Sequence, residues 1–440
     1  MLIPAAVARC LDALEQAGFE AYCVGGYVRD RLLGKEPHDF DLCASATPEE
    51  MKTLFHDQNL VLAGEKHGTV GVVTEEGVVE ITTFRKEGTY ADNRHPDRVE
   101  FVTDIRQDLA RRDFTVNAMA WSPKRGLQDP FGGEADLKNG ILRCVGHPET
   151  RFREDALRIL RGVRFSVTYN LTPEPETERA MLALTELLDH LARERVYGEF
   201  CGFLPQITGA QLVKYAPIIT QVIPELKATV GFDQHSPHHK YDLYTHIAQV
   251  VDRVPGNLPL RWAALLHDVG KIPTFTRDET GRGHFYGHAQ AGAEMADEIL
   301  RRLKAPTALR QQAVLLIEQH MTRLMPEKRL LKRYLGRWGR ETVEQLLYLQ
   351  QADMGSKGVP GEEEQEQFEV LWALLKEVEQ ESTCLTRKDL ALTGLDLLSL
   401  GYQGREIGAR LEELLEAVLD ERVKNEKEAL LEYLKRTETS

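Results

Sequence analysis

The segment "YCVGGYVRDRLLGKEPHDFDL" (residues 22–42) holds two adjacent glycines, an Arg-Asp pair and two aspartates one residue apart. On a strand successive side chains alternate faces, so Asp39 and Asp41 would share a face while Phe40 points into a core. Like charges so placed repel unless a cation lies between them. Hard Mg²⁺ prefers such carboxylates together with substrate phosphates. "VVEITTF" (78–84) adds Glu80 on a neighbouring strand as a third carboxylate. A pair of divalent ions held this way stabilises both the attacking and the leaving oxygen of an in-line phosphoryl displacement. Gly25 and Gly26 lack Cβ atoms and let backbone N–H groups approach a triphosphate, and Arg29 at the start of the next helix can contact the same phosphates. Two solvated aspartates and a tight turn would explain each feature alone, but GG, RD, G and DxD fall within one short segment.

A second constellation reads bases. "EDALRILRGVRF" (154–165) has helical periodicity, with Leu157, Leu160 and Val163 on one stripe and Asp155 and Arg158 as neighbours on the other face. A surface ion pair is the ordinary explanation. Cytosine and adenine, however, both carry an amino group beside a ring-nitrogen acceptor. Asp155 can accept from the amine while Arg158 donates to the ring nitrogen, whereas guanine and uracil turn a carbonyl towards the carboxylate. Such a bidentate pair discriminates bases by ~1–3 kcal/mol.

The third constellation is His246, His267 with Asp268 in "LLHDVGK", His288, His320 and Asp353. Adjacent residues on a helix diverge, so His267 and Asp268 can grip one ion only with outside help. Partners 21 residues before, and 21, 53 and 86 after, suit facing helices of a bundle. Histidine and carboxylate ligands suit Mn²⁺, Fe, Co²⁺ or Ni²⁺, as well as Zn²⁺. Lys271 could contact a phosphate.

The elements that must position these groups fall into two regimes. Residues 1–20 look helical through Val7, Leu11 and Leu14, and "TVGVVTEEGVVEITTF" (69–84) reads as a β-hairpin. An α+β region closes near residue 145, after which helical periodicity takes over, broken at "LTPEPETE" (171–178) and "KGVPGEEEQEQ" (357–367). A length of 440 residues implies two to four domains. No apolar run is long enough to cross a bilayer, and no signal-peptide pattern opens the chain. Six scattered cysteines without a CxxC pair read as reduced thiols of a cytoplasmic protein. The net charge of −14 argues against indiscriminate nucleic-acid coating, so local basic clusters matter more. The densest is "TRLMPEKRLLKRYLGRWGR" (322–340), either a solvated amphipathic helix or a contact for an RNA backbone.

"VGGYVRDRLLGKEPHDFDL", "TFRKEGTYADNRHPDRVEF" (83–101), "DLARRDFTVNAMA" (108–120), "DPFGG" (129–133) and "RFREDALRILRGVRF" (151–165) occur in this order. Together they resemble the class II tRNA nucleotidyltransferases, the CCA-adding enzymes, with bacterial poly(A) polymerases as close relatives. The segment 394–434 is similar to the tail of many bacterial members. The H…HD…H…H…D order resembles HD-domain metal phosphohydrolases.

The resemblance implies an α+β fold: a polymerase-β-like nucleotidyltransferase head (1–145), a helical neck (146–215), an HD domain (225–355) and a helical, tRNA-binding tail (365–440). It implies template-independent addition of CCA to tRNA from CTP and ATP, with no membrane and no obligatory protein partner. In that pattern Gly26, Arg29 and Arg112 bind the nucleotide, and Asp39 and Asp41, with Glu80, hold catalytic Mg²⁺. Asp155 and Arg158 select the base, with Arg161 and Arg164 near the nucleotide, and Glu194 and Arg195 in "RERVYGEF" (193–200) position that pair. The loop "RKEGTYADNRHP" (85–96) serves addition of the final A. His246, His267, Asp268, His288, His320 and Asp353 hold a divalent transition metal (Mn, Ni, Co or Fe) for phosphatase, 2′-nucleotidase or 2′,3′-cyclic phosphodiesterase chemistry. The rival readings are a poly(A) polymerase, against which the acidic tail speaks, and an HD phosphohydrolase using the head only to bind RNA.

Overall fold

A computed structural model describes residues 3–37, 40–87, 99–236, 240–357, 362–380 and 384–438. The chain divides into two compact units, one of residues 1–207 with 214–224 and the other of 208–213 with 225–440. Asp39 and most of the 85–96 loop lie outside the described residues.

In the first unit, α1 (Ala5–Gln16) buries Val7, Leu11 and Leu14, the stripe its periodicity predicts. The sheet is built from β1 (Ala21–Val24), β2 (Asp41–Ala44), β3 (Leu60–Val61), β4 (Thr69–Thr74), β5 (Gly77–Thr83), β8 (Ala120–Ser122) and β9 (Gly126–Gln128), in the order β3-β4-β5-β2-β1-β8-β9. β6 (Arg85–Glu87) and β7 (Val99–Phe101) form a separate antiparallel ladder. β4 and β5 make the predicted hairpin, whereas β2 and β5 run parallel. β2 begins at Asp41, and Phe40 before it packs on the Tyr27 ring at 5.4 Å. Helices α2 (Gly26–Leu32), α3 (Pro48–Leu54), α4 (Ile105–Ala110) and α5 (Gly133–Lys138) accompany the sheet. Tyr22, Val24, Cys43, Phe84, Leu109 and Ala120 close one core cluster.

Helices then dominate, with α6 (Pro148–Glu154), α7 (Leu157–Thr168), α8 (Pro175–Ala183) and α9 (Arg193–Phe203). The helix expected over 154–165 is broken: Asp155 lies between α6 and α7 in extended backbone, φ −139° and ψ 104°. Its Oδ1 accepts from the Leu157 N–H at 3.0 Å, so the aspartate caps the second helix instead of continuing the first. Further along come α10 (Gly209–Lys214) and α11 (Ala216–Val222).

The second unit contains α12 (Leu243–Arg253), α13 (Leu258–Leu266), α14 (His288–Arg302), α15 (Thr307–Gln319), α16 (Lys328–Trp338), α17 (Arg340–Lys357) and α18 (Glu362–Gln380). The tail helices are α19 (Gly394–Ser399), α20 (Arg405–Leu419) and α21 (Lys427–Glu438), which share a leucine cluster including Leu392, Leu397, Leu414 and Leu430. The basic stretch forms α16, but its cations are largely engaged within this unit. Arg333 pairs with Glu416 and Asp420, Arg329 with Asp420, Lys332 with Glu421 at 3.0 Å and Lys328 with Glu377 at 2.7 Å. The acidic tail is the counter-charge of this helix. Among the described residues no helix is long and apolar enough to cross a membrane.

Candidate functional site

Two groups of functional side chains form, one in each unit. In the first unit a cavity of about 390 Å³ is lined by Gly25, Gly26, Arg29, Asp41, Arg111, Arg112, Asp113, Asn117, Asp155, Arg158, Arg161, Arg164 and Phe165. It gathers nine of the predicted residues, and its six guanidinium groups against three carboxylates make it a site for a polyanion. Gly25 starts α2 at φ +63°, a conformation suited to glycine, and a Cβ there would lie 2.9 Å from Arg112 Nη1. Asp41 borders the cavity. Glu80 does not, but it is the Cα partner of Asp41 across the β2–β5 ladder, and both side chains are exposed on one sheet face.

The cations are held by neighbours that the motif reading left out. Arg29 is buried and donates to Asn117 Oδ1 at 2.6 Å, to Asp30 Oδ1 at 2.9 Å and to the Tyr169 hydroxyl. Arg161 Nε donates to Asp113 Oδ2 at 2.7 Å, and Arg164 Nε to Glu199 Oε2 at 2.7 Å. Burial alone would raise the Asp113 carboxyl, but the Arg161 guanidinium, the Asn117 amide and the Phe114 N–H outweigh it and hold it down to about 2. Arg161, Arg164 and Arg29 also lie against the Phe165 ring, with guanidinium carbons 5.0, 4.5 and 5.4 Å from its centroid. Arg112 and Arg111 share buried Asp108, at 3.3 and 2.9 Å.

Asp155 and Arg158 reach the same cavity without pairing with each other. Asp155 Oδ2 accepts from Arg195 Nη2 at 3.0 Å. Arg158 donates to Glu154 at 2.9 Å and to the carbonyls of Arg111 and Arg151 at 2.9 and 3.3 Å. Each is fixed from behind, which leaves lone pairs on the carboxylate and further donors on the guanidinium.

In the second unit all six predicted ligands converge. Nitrogen or carboxylate atoms of His246, His267, Asp268 and Asp353 lie within 4.8 Å of one another, as do those of Asp268, His288 and His320. His246 Nε2 is 3.0 Å from Asp353 Oδ1, and His267 Nε2 is 3.2 Å from Asp268 Oδ2. The adjacent His-Asp pair can converge because α13 stops at Leu266 and Asp268 adopts φ −106°, ψ 7°. The turn that follows presses on α14: a Cβ on Gly270 would sit 2.2 Å from the His288 carbonyl oxygen.

His267, His288 and His320 each place Nδ1 against the carbonyl three residues earlier, at 2.8, 2.8 and 2.6 Å. That bond fixes the tautomer and turns Nε2 inward, the orientation a metal requires. Burial, reinforced by His267, pushes His320 down to about 4, so it is a neutral ligand at pH 7. Burial would raise Asp268 and Asp353, yet His267 and Lys271 beside the first, and His246 and Lys357 beside the second, keep both carboxyls well below the usual range. Buried carboxylates packed among imidazole nitrogens are a donor set that fits a divalent cation.

An anion cavity beside a strand carboxylate pair, together with a buried histidine-carboxylate cluster, defines a nucleotidyltransferase that also carries an HD domain. The family model described as poly A polymerase head domain matches residues 21–143, and the HD domain model matches 243–354. The CCA-adding enzyme of Levilactobacillus brevis is 36% identical over 431 residues, covering 96% of this chain and 95% of that one. The CCA-adding enzyme of Ligilactobacillus salivarius is 42% identical over 249 residues, spanning 54% of this chain and 61% of that one. The crystal structure of the Bacillus stearothermophilus CCA-adding enzyme in complex with CTP superposes with a TM-score of 0.69 at 28% identity, over 99% of this chain and 98% of that one. The chain belongs to the CCA-adding enzymes, and its activity is tRNA nucleotidyl transfer.

Proposed function

We propose that the chain completes the C-C-A end of tRNA from CTP and ATP, and that it chooses both bases with the Asp155 and Arg158 side chains. The carrying observation is that these two groups line the arginine-rich cavity while each is tethered elsewhere, Asp155 to Arg195 and Arg158 to Glu154. Two fixed groups facing one space present an acceptor beside a donor, the complement of the amino edge that C and A share and that G and U lack. Arg29, Arg112, Arg161 and Arg164, with the backbone at Gly26, hold the triphosphate by charge-assisted hydrogen bonds. Asp41, Glu80 and Asp39 would hold Mg²⁺, which when bound supplies positive charge to the phosphoryl group in transfer. The relative solved with CTP supports the nucleotide reading.

The division of labour follows as a nucleotidyltransferase head (1–145), a selecting neck (146–215), an HD domain (225–355) and a tail (365–440) that contributes to tRNA binding. In the HD domain, His246, His267, Asp268, His288, His320 and Asp353 would hold Mn, Ni, Co or Fe, which when bound lends Lewis-acid chemistry to phosphoester hydrolysis. The protein works in the cytoplasm, where its tRNA and nucleotides are found. Extension of a tRNA lacking CCA tests the first reading: the product gains three nucleotides with CTP and ATP and none with GTP or UTP, while a long A tract would indicate a poly(A) polymerase.

A further inference from the structure

The sheet face that bears Asp41 and Glu80 continues past them. Register places four residues in one row across four strands: Asp41 on β2 is the Cα partner of Glu80 on β5, Glu80 of Gly71 on β4, and Gly71 of Val61 on β3. Cα partners in a ladder share a face, so the row carries two carboxylates at one end and a valine at the other. Gly71 has no side chain, and its neighbours close over it: a Cβ there would lie 2.8 Å from Val78 Cγ1 and 3.1 Å from Val61 Cβ. Val73, two residues along β4 from Gly71, is the Cα partner of Val78 and widens the same surface. Val61, Val73 and Val78 are 43, 39 and 52% exposed, whereas Val70, Val72, Val79 and Ile81, which alternate with this row, are buried on the opposite face. A single exposed valine needs no explanation, but three adjoining ones beside two carboxylates do.

The arginine-rich cavity adjoins this row at its Asp41 end. Its lining comes from Asp41, from the segments after β1 and before β8, and from Asp155 and α7, with no residue from β3, β4 or β5. In an in-line phosphoryl displacement the attacking and leaving oxygens lie on opposite sides of the phosphorus. With the triphosphate held among the arginines, the attacking 3′-hydroxyl has to arrive from the Glu80 side. We propose that Val61, Val73 and Val78 form the surface on which the terminal nucleotide of the tRNA acceptor strand lies. The surface begins one strand, about 4.8 Å, beyond Glu80, within reach of the base of a nucleotide whose 3′-oxygen is at the carboxylates. Its chemistry suits that strand. Adding C, C and A in turn presents a different terminal nucleotide at successive steps, so a side chain that hydrogen-bonded one base edge would reject the next. Methyl groups accept the face of any base, or a ribose, without reading an edge. The inference rests on reading Asp41 and Glu80 as the catalytic carboxylates, and it places the second substrate on their face of the sheet.

The test is photocrosslinking of the full chain to a tRNA that lacks CCA and ends in 4-thiouridine, without nucleoside triphosphates so that no extension occurs. Peptide mapping should find the crosslinks in the peptides that carry Val61, Val73 or Val78. Extension kinetics with an unmodified tRNA lacking CCA give the second readout. Val61→Thr with Val78→Thr keeps β-branched side chains of the same shape while setting hydroxyls on the surface, and thermal melts confirm that the variant is folded. It should lower kcat/KM for tRNA by about fivefold while KM for CTP stays within about twofold of wild type. Val61→Ile with Val78→Ile keeps the surface apolar and should hold kcat/KM for tRNA above that of the threonine pair. Crosslinks confined to other peptides, or equal kcat/KM in wild type and the threonine pair, overturn the proposal. A second copy of the chain seated on this face would appear in gel filtration as a dimer that the threonine pair loses, with kcat/KM for tRNA unchanged, and this outcome also overturns it. Asp41→Ala is scored separately. An active Asp41→Ala enzyme whose crosslinks stay on the valines rejects the carboxylate reading and leaves the surface standing, whereas an inactive one whose crosslinks lie elsewhere rejects the surface alone.

Discussion

Asp41 and Glu80 sit opposite one another as Cα partners in the parallel β2–β5 pairing, exposed on the same face of the sheet. Chain neighbours of Asp41 could not achieve this without the crossover that brings residue 80 back alongside. If the two carboxylates share a divalent ion, each contributes to its affinity. Asp41→Ala should abolish incorporation of both CTP and ATP and leave the melting temperature within a few degrees, because the side chain is exposed. Glu80→Ala should retain weak activity that recovers at elevated Mg²⁺. Nucleotide addition by Asp41→Ala near the wild-type rate would remove the carboxylate face from the mechanism.

If Asp155 and Arg158 choose the base, the Arg195 that donates to Asp155 at 3.0 Å should bear on that choice. Asp155→Ala removes the acceptor, so misincorporation of UTP and GTP should rise by the equivalent of ~1–3 kcal/mol of lost discrimination while C and A addition slows. Arg195→Ala leaves the acceptor in place but unanchored, so a smaller loss of selectivity in the same direction is expected. Single-nucleotide incorporation kinetics with all four triphosphates measure both. Unchanged selectivity in Asp155→Ala would assign base choice to other residues.

Asp41 and Glu80 on paired strands, the glycine turn and the six converging histidines and aspartates could all be singled out in the sequence, because their residue types are costly to bury or expose without a purpose. Their supports could not. The periodicity of 154–165 runs straight through Asp155, and nothing local announces that its carboxylate will cap Leu157 and break the helix. Asp113 reads as one more residue of a motif until Arg161, 48 positions on, packs against it. The basic helix α16 looks like an RNA contact when most of the acids that neutralise it lie more than 80 residues away. In each case the missing information is a tertiary partner distant along the chain.

The Asp113–Arg161 pair makes a pH prediction. The folded carboxyl is held at about 2 against an ordinary value of 3.8, so its contribution to stability is complete above the ordinary value and is lost as pH falls towards 2. At about 1.4 kcal/mol per unit, the contribution at neutral pH is on the order of 2 kcal/mol. Asp113→Asn should lower the neutral-pH melting temperature and flatten its acid dependence between pH 4 and 2, with little change in slope between pH 5 and 7. Parallel acid limbs for mutant and wild type would show that this carboxylate is not the group responsible.

The α16–tail ion cluster should contribute modestly and in a salt-dependent way. Arg333 and Glu416 are partly exposed, whereas Asp420 is largely covered, so each pair contributes about 1 kcal/mol or less. Reversing both acids, Glu416→Lys with Asp420→Lys, places like charges against Arg329 and Arg333 and should lower the melting temperature by several degrees, more at low ionic strength. Tighter tRNA binding by the same double variant would mean that the tail competes with RNA for this helix.

The two sites should separate by mutation, because their residues belong to different compact units. His267 and Asp268 are buried at the centre of the second cluster, and Asp268 belongs to both groups of potential ligands. Replacing both, His267→Ala with Asp268→Ala, should eliminate binding of Mn²⁺ or Ni²⁺ to this cluster, read directly by equilibrium dialysis, and with it any phosphohydrolysis. Addition of C, C and A should persist with Mg²⁺ as the sole metal. His320→Ala removes a ligand from one group only, so the metal should bind more weakly without being lost. The measurement compares bound metal per chain, phosphoester turnover and three-nucleotide extension in the same preparations. If the double variant keeps full metal content, the converging histidines and aspartates hold the bundle together by their own hydrogen bonds, and the second activity must be sought elsewhere.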